Sequence, residues 1–156
     1  MKPHPIHPVL VHFPVACWSL GSVTDIARLF FGGGVAEVSS WLISAGLILS
    51  IPAMLTGLLD LGNTKNNSAA QDTVITHVSF VLITWTFYAA SVFMRTQAMT
   101  SAQFISLALS IGGLVCLGFA GWYGGKLVYS HGIGVQIKEL SEDRHRRDTQ
   151  NLPQVK

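Results

Sequence analysis

The chain has 156 residues, of which 49% are hydrophobic and only 12% charged, about half the charged fraction of an average soluble domain. Its mean hydropathy is +0.45. These values exclude a disordered chain, and a net charge of +2 without a basic stripe gives no footing for nucleic acid. Ten of the 18 charges lie from Lys126 onward, and the other eight are scattered over the first 125 residues. Between those eight lie charge-free runs at 3–24, 38–59, 73–94 and 96–125. Each reaches the roughly 20 residues a helix needs to cross the hydrocarbon core. The expected fold is an all-α integral membrane four-helix bundle.

In chain order, the first helix is predicted over about 9–31. Its opening lacks the features of a cleaved leader, because His12 and Pro14 interrupt the apolar stretch and no small-x-small site follows. It is therefore expected to stay as a membrane span. Asp25 and Arg28, three apart, can pair on one face, and Gly32-Gly33-Gly34 is expected to stop the helix. The second helix is predicted over 38–61, with a kink at Pro52, and the third over 73–94 after a polar connector. The fourth covers 102–129 and is broken by Gly132 and Gly134. Residues 1–134 thus form the membrane domain, and 135–156 read as a soluble, partly disordered tail. Cys17 and Cys116 both fall inside apolar runs and read as small buried residues rather than a disulfide.

Lysine and arginine set the orientation. One side of the bundle carries Lys2, Lys65, Lys126, Lys138, Arg144, Arg146, Arg147 and Lys156, the other Arg28 and Arg95. The positive-inside rule places both termini in the cytoplasm, and the expected location is a bacterial inner membrane. Small residues line two helices: Ser39, Gly46, Ser50, Ala53 and Gly57 on the second, and Ala108, Gly112, Cys116, Ala120 and Gly124 on the fourth, with Gly121 and Gly125 beside them. Such stripes let helices approach closely, within the chain or in a homodimer. They also leave room for a flat cofactor. The halves show no evident sequence repeat, which disfavours a transporter built from inverted repeats.

Five of the six histidines lie in or beside the membrane part. With alternating helix directions, His4, His7, His12, His77 and His131 all fall at the cytoplasmic face, and Asp60 joins them. Titratable groups inside a membrane are costly and mark sites or proton paths. Heptad spacing puts His77, Thr84 and Ser91 on one line, and His12, Gly57, Asp60 and His131 are expected to point inward with it.

The segment His4-Pro5-Ile6-His7-Pro8-Val9-Leu10-Val11-His12-Phe13-Pro14 resembles the opening signature of a bacterial membrane family catalogued as domain of unknown function 2231. Gly57-Leu58-Leu59-Asp60, His77 and the stretch Gly124 to Val135, which includes Tyr129 and His131, resemble it too. The resemblance covers roughly 4–135 and implies a four-helix membrane protein without bringing an activity.

From the residues, the leading expectation is a b-type haem protein in electron transfer or small-ligand redox chemistry, with histidines as axial ligands. His12 and His77 are the first-choice pair, and His7 and His131 would serve a second haem or one shared across a dimer. Asp60, Gly57, Gly124 and Tyr129 would stand behind them. Phe13, Trp18, Phe80, Trp122 and Tyr123 could wall the porphyrin, and Lys126, Lys65 or the tail arginines meet the propionates. Without a CxxCH motif, attachment would be non-covalent. One alternative is direct zinc or non-haem iron on His12, His77 and His131 with Asp60. Others are cofactor-free proton or solute handling and a structural polar cap. A redox partner is expected but not identifiable.

Overall fold

A computed structural model describes residues 6–31, 33–61, 68–97 and 101–133. These contain α1 (Ile6–Leu10), α2 (His12–Phe31), α3 (Gly33–Leu61), α4 (Ser68–Arg95) and α5 (Ala102–Tyr129). Helices α1 and α2 together make one span, and α3, α4 and α5 the other three, each long and apolar enough to cross a membrane. The predicted tail lies outside the described residues.

The fourth predicted helix matches α5 at both ends, and the other three begin earlier than predicted. Pro8 does not delay the first helix, because in an opening turn the missing N–H costs nothing. Pro14 has its effect one turn back: it cannot donate to the Leu10 carbonyl, and the helix breaks at Val11 between α1 and α2. The triple glycine does end α2, yet Gly33 and Gly34 already belong to α3. Gly132, with φ 64°, closes α5. There the Ile133 N–H bonds Leu127 O at 3.0 Å and the Gly132 N–H bonds Val128 O at 3.1 Å, a left-handed cap that satisfies the last carbonyls.

The interior is built from small and hydroxylated residues. Ser22, Ser39, Ser50, Ser91, Ser106 and Ser110 are buried, while Leu20, Trp41, Ile48, Leu59 and Phe104 are exposed. Lipid is as apolar as leucine, so large side chains gain nothing by turning inward, and close packing with internal hydrogen bonds holds the helices instead. Helix α2 packs on α3 and α4 on α5 as two hairpins, and thinner α2–α5 and α3–α4 contacts join them. At the centre, buried Trp18 and Tyr88 stack with ring centroids 4.9 Å apart.

The hairpins are related, contrary to the expectation that the halves share no repeat. A shift of 70 residues carries His7, Trp18 and Asp25 onto His77, Tyr88 and Arg95. A shift of 67 carries Ser39, Gly46, Ala53 and Gly57 onto Ser106, Gly113, Ala120 and Gly124. Equivalent residues make equivalent contacts. A Cβ at Gly46 would lie 2.5 Å from the Trp18 ring, and one at Gly113 would lie 2.9 Å from the Tyr88 ring. Equivalent positions also meet each other across the bundle, as Trp18 meets Tyr88 and Asp25 meets Arg95. That is the arrangement around a twofold axis along the bundle, and α2 and α4 run in the same direction. The repeat is therefore parallel rather than inverted.

Candidate functional site at the histidine end

The early start of α1 puts His7 on a helix, and its ring turns in against α3. Nδ1 lies 2.7 Å from Ala53 O, and a Cβ at Gly57 would come within 2.9 Å of the ring. His77 repeats this on α5: Nδ1 is 2.8 Å from Ala120 O, and a Cβ at Gly124 would sit 3.2 Å away. A carbonyl only accepts, so in both rings Nδ1 carries the proton and donates. Nε2 then keeps its lone pair, and among the described residues neither Nε2 makes a hydrogen bond. A ring anchored through Nδ1–H on a backbone carbonyl, with Nε2 unprotonated, is the form in which histidine binds metals. By the 70-residue register the two rings occupy equivalent positions in the two hairpins.

The remaining candidates divide. His12, expected to point inward, is exposed. It follows His7 by five residues, about 140° around a helix, so the two cannot both face the interior. Its equivalent in the second hairpin is Leu82, also exposed. His131 lies at the same end with Nε2 3.1 Å from Thr73 Oγ1. Asp60 is half-buried, and Tyr129 is 91% exposed. Phe13 and Trp122 face outward, whereas Phe80 stacks on Phe119 and Tyr123. Lys126 is exposed at the end of α5. His4, Lys65 and the tail arginines lie outside the described residues. Among the described residues no three histidine, cysteine or acidic side chains converge as a metal-binding group.

A second polar cluster occupies the opposite end, where the spacing predicts only the Asp25–Arg28 pair. That pair is present at 3.7 Å between Arg28 Nε and Asp25 Oδ1, but the stronger partner is Arg95, whose Nη2 donates to Asp25 Oδ2. Ser39 and Ser110 donate to the two carboxylate oxygens at 2.5 Å each. Arg95 Nη1 also bonds Ser39 at 3.2 Å and Ser40 at 3.3 Å, and Arg28 Nη2 bonds Gln103 O and Ser106 Oγ. Asp25 is fully buried, so a charge that water would otherwise solvate is satisfied by helices from both hairpins. The 70-residue register is the signal that would have paired Asp25 with Arg95.

A family model described as Predicted membrane protein (DUF2231) matches residues 3–137. The chain belongs to this family. The match spans both hairpins, so the paired histidines, the aromatic stack and the Asp25–Arg95 pair all lie within the family region. No curated protein and no solved structure matches the chain.

Proposed function

We propose that this member of the family is a membrane-embedded b-type haem protein whose iron is held axially by His7 and His77, and that it serves electron transfer or small-ligand redox chemistry. The observation that carries this is the pair of inward imidazoles, each fixed through Nδ1 on a helix carbonyl with Nε2 left unbonded. Zinc or non-haem iron would need at least a third protein ligand, and none joins the two among the described residues. Haem brings its own four equatorial nitrogens and asks the protein only for axial ligands. The equivalence of the two histidines suits a group with two opposite coordination positions. One haem per chain follows. In this reading the histidine end and both termini face the cytoplasm of a bacterial cell, which the excess of lysine and arginine beside that end supports, and the partner is a one-electron carrier at that face.

Absorption spectroscopy of protein purified in detergent after haem-supplemented expression tests the reading. It predicts a Soret band and, on dithionite reduction, sharp α and β bands, with about one haem per chain. A featureless visible region would overturn it.

A further inference from the structure

The 70-residue register makes the two histidine positions equivalent, and one difference between the hairpins changes how each ring is carried. Position 14 is proline, and its counterpart at position 84 is threonine. Proline has no N–H, so the Leu10 carbonyl loses its helical donor and the helix breaks at Val11. The Val11 N–H still bonds His7 O at 3.1 Å and the Val15 N–H bonds Val11 O at 3.2 Å, so the chain bends there without uncoiling. His7 therefore rides on α1, a segment of five residues, none of them buried. His77 rides within α4, which runs unbroken from Ser68 to Arg95 and buries Ala70, Thr73 and Val74 ahead of the ring.

A helical segment that has lost a ladder bond and buries no side chain opens locally at little cost, whereas an unbroken, buried stretch opens only with the fold around it. Helix α1 is seated on α3, where His7 Nδ1–H bonds Ala53 O. We propose that α1 is a hinged arm that swings about Val11 and Pro14 and takes His7 off the iron while His77 stays, so that a neutral diatomic gas binds on the side His7 leaves. For its ligand this rests on the haem reading above; the hinge itself does not. In the exchange the bond from His7 Nε2 to ferrous iron breaks and one bond from the gas to the iron forms. His7 recovers its lone pair and keeps the Nδ1 proton, and no electron is gained or lost. Burying a charged ligand in the bundle is costly, and an uncharged diatomic one escapes that cost. Its apparent affinity is lowered by the fraction of molecules in which the arm is closed.

Carbon monoxide is the probe. Pro14→Ala restores the missing N–H and leaves both histidines in place, and Pro14→Thr, which copies the other hairpin, is its second form. In haem-free protein, amide hydrogen exchange corrected for sequence is expected to be about tenfold faster over α1 than over the equivalent residues 76–80 of α4. In both variants, with the helicity of the parent, exchange over α1 should slow about tenfold. In ferrous haem-loaded parent, the rate of carbon monoxide binding should level off as its concentration rises, because opening of the arm limits it. Both proline variants should lower that ceiling about tenfold, and His7→Ala should bind carbon monoxide without one. Exchange over α1 that neither folded variant slows overturns the inference, and so does a haem-loaded parent that binds no carbon monoxide or a ceiling that neither variant moves. A parent that takes up no haem overturns the reading of the site and leaves the exchange rates to decide the hinge.

Discussion

Both ends of this bundle are built on the 70-residue register, and they differ in how the paired residues are satisfied. At one end the register pairs histidine with histidine, and each ring is bonded inside its own hairpin with a nitrogen lone pair to spare. At the other it pairs aspartate with arginine, and the two bond each other across the hairpins with serines filling the remaining lone pairs. Identical partners at a twofold axis cannot neutralise each other, but they can share a ligand that has two faces. Complementary partners need no ligand. The acidic end is thus closed by its own side chains, whereas the histidine end keeps the unbonded nitrogens that the proposed haem would use.

The largest expected effect breaks the closed end. Asp25→Asn should leave Arg28 and Arg95 facing each other without their carboxylate and cost about 3–5 kcal/mol. Denaturant titration of helicity in detergent would read this directly, and a midpoint equal to that of the parent would contradict it. Next come the glycines beneath the aromatic stack. Gly46→Ala forces a Cβ to 2.5 Å from the Trp18 ring, and in a packed interior such crowding costs about 1–3 kcal/mol. Gly118→Ala meets nothing within 4 Å and should leave the midpoint of the same titration unmoved. A smaller stability effect, but a sharper spectral one, is expected at Gly57. Alanine there presses on the His7 ring, so haem affinity should fall by about 10- to 100-fold in an equilibrium haem titration while the helix content stays. The smallest effect belongs to His12: with an exposed leucine at the equivalent place, His12→Leu should keep the haem spectrum of the parent.

Much of this was legible in the sequence. Charge-free runs of membrane length gave four spans, and the alternation of helix direction collected the histidines at one face. Gly57 and Gly124 lie against the His7 and His77 rings, and a stripe of small residues on a membrane helix marks where a ring can lie. The choice between His7 and His12 was not legible, because it turns on a helix that starts at Ile6 and breaks at Val11. Five residues separate the two, so shifting the helix start exchanges which one faces in. The repeat is faint in the sequence because it survives chiefly at interior positions. Lipid-facing residues are free to drift among apolar types, as Ile51, Met54 and Leu58 in the first hairpin stand opposite Gly118, Gly121 and Gly125 in the second. Arg95 read as the end of a span because a terminal arginine is ordinary there. Only the buried acid on another helix gives it a different role.

The most direct test of the central claim compares reduced and oxidised spectra of the wild type with those of His7→Ala, His77→Ala and His12→Ala, at equal protein and after haem supplementation. The account predicts a six-coordinate low-spin haem in the wild type and in His12→Ala. Both His7→Ala and His77→Ala should show it converted to high spin or lost, to a similar extent. Full low-spin haem in both of those variants, or its loss in His12→Ala alone, would contradict it.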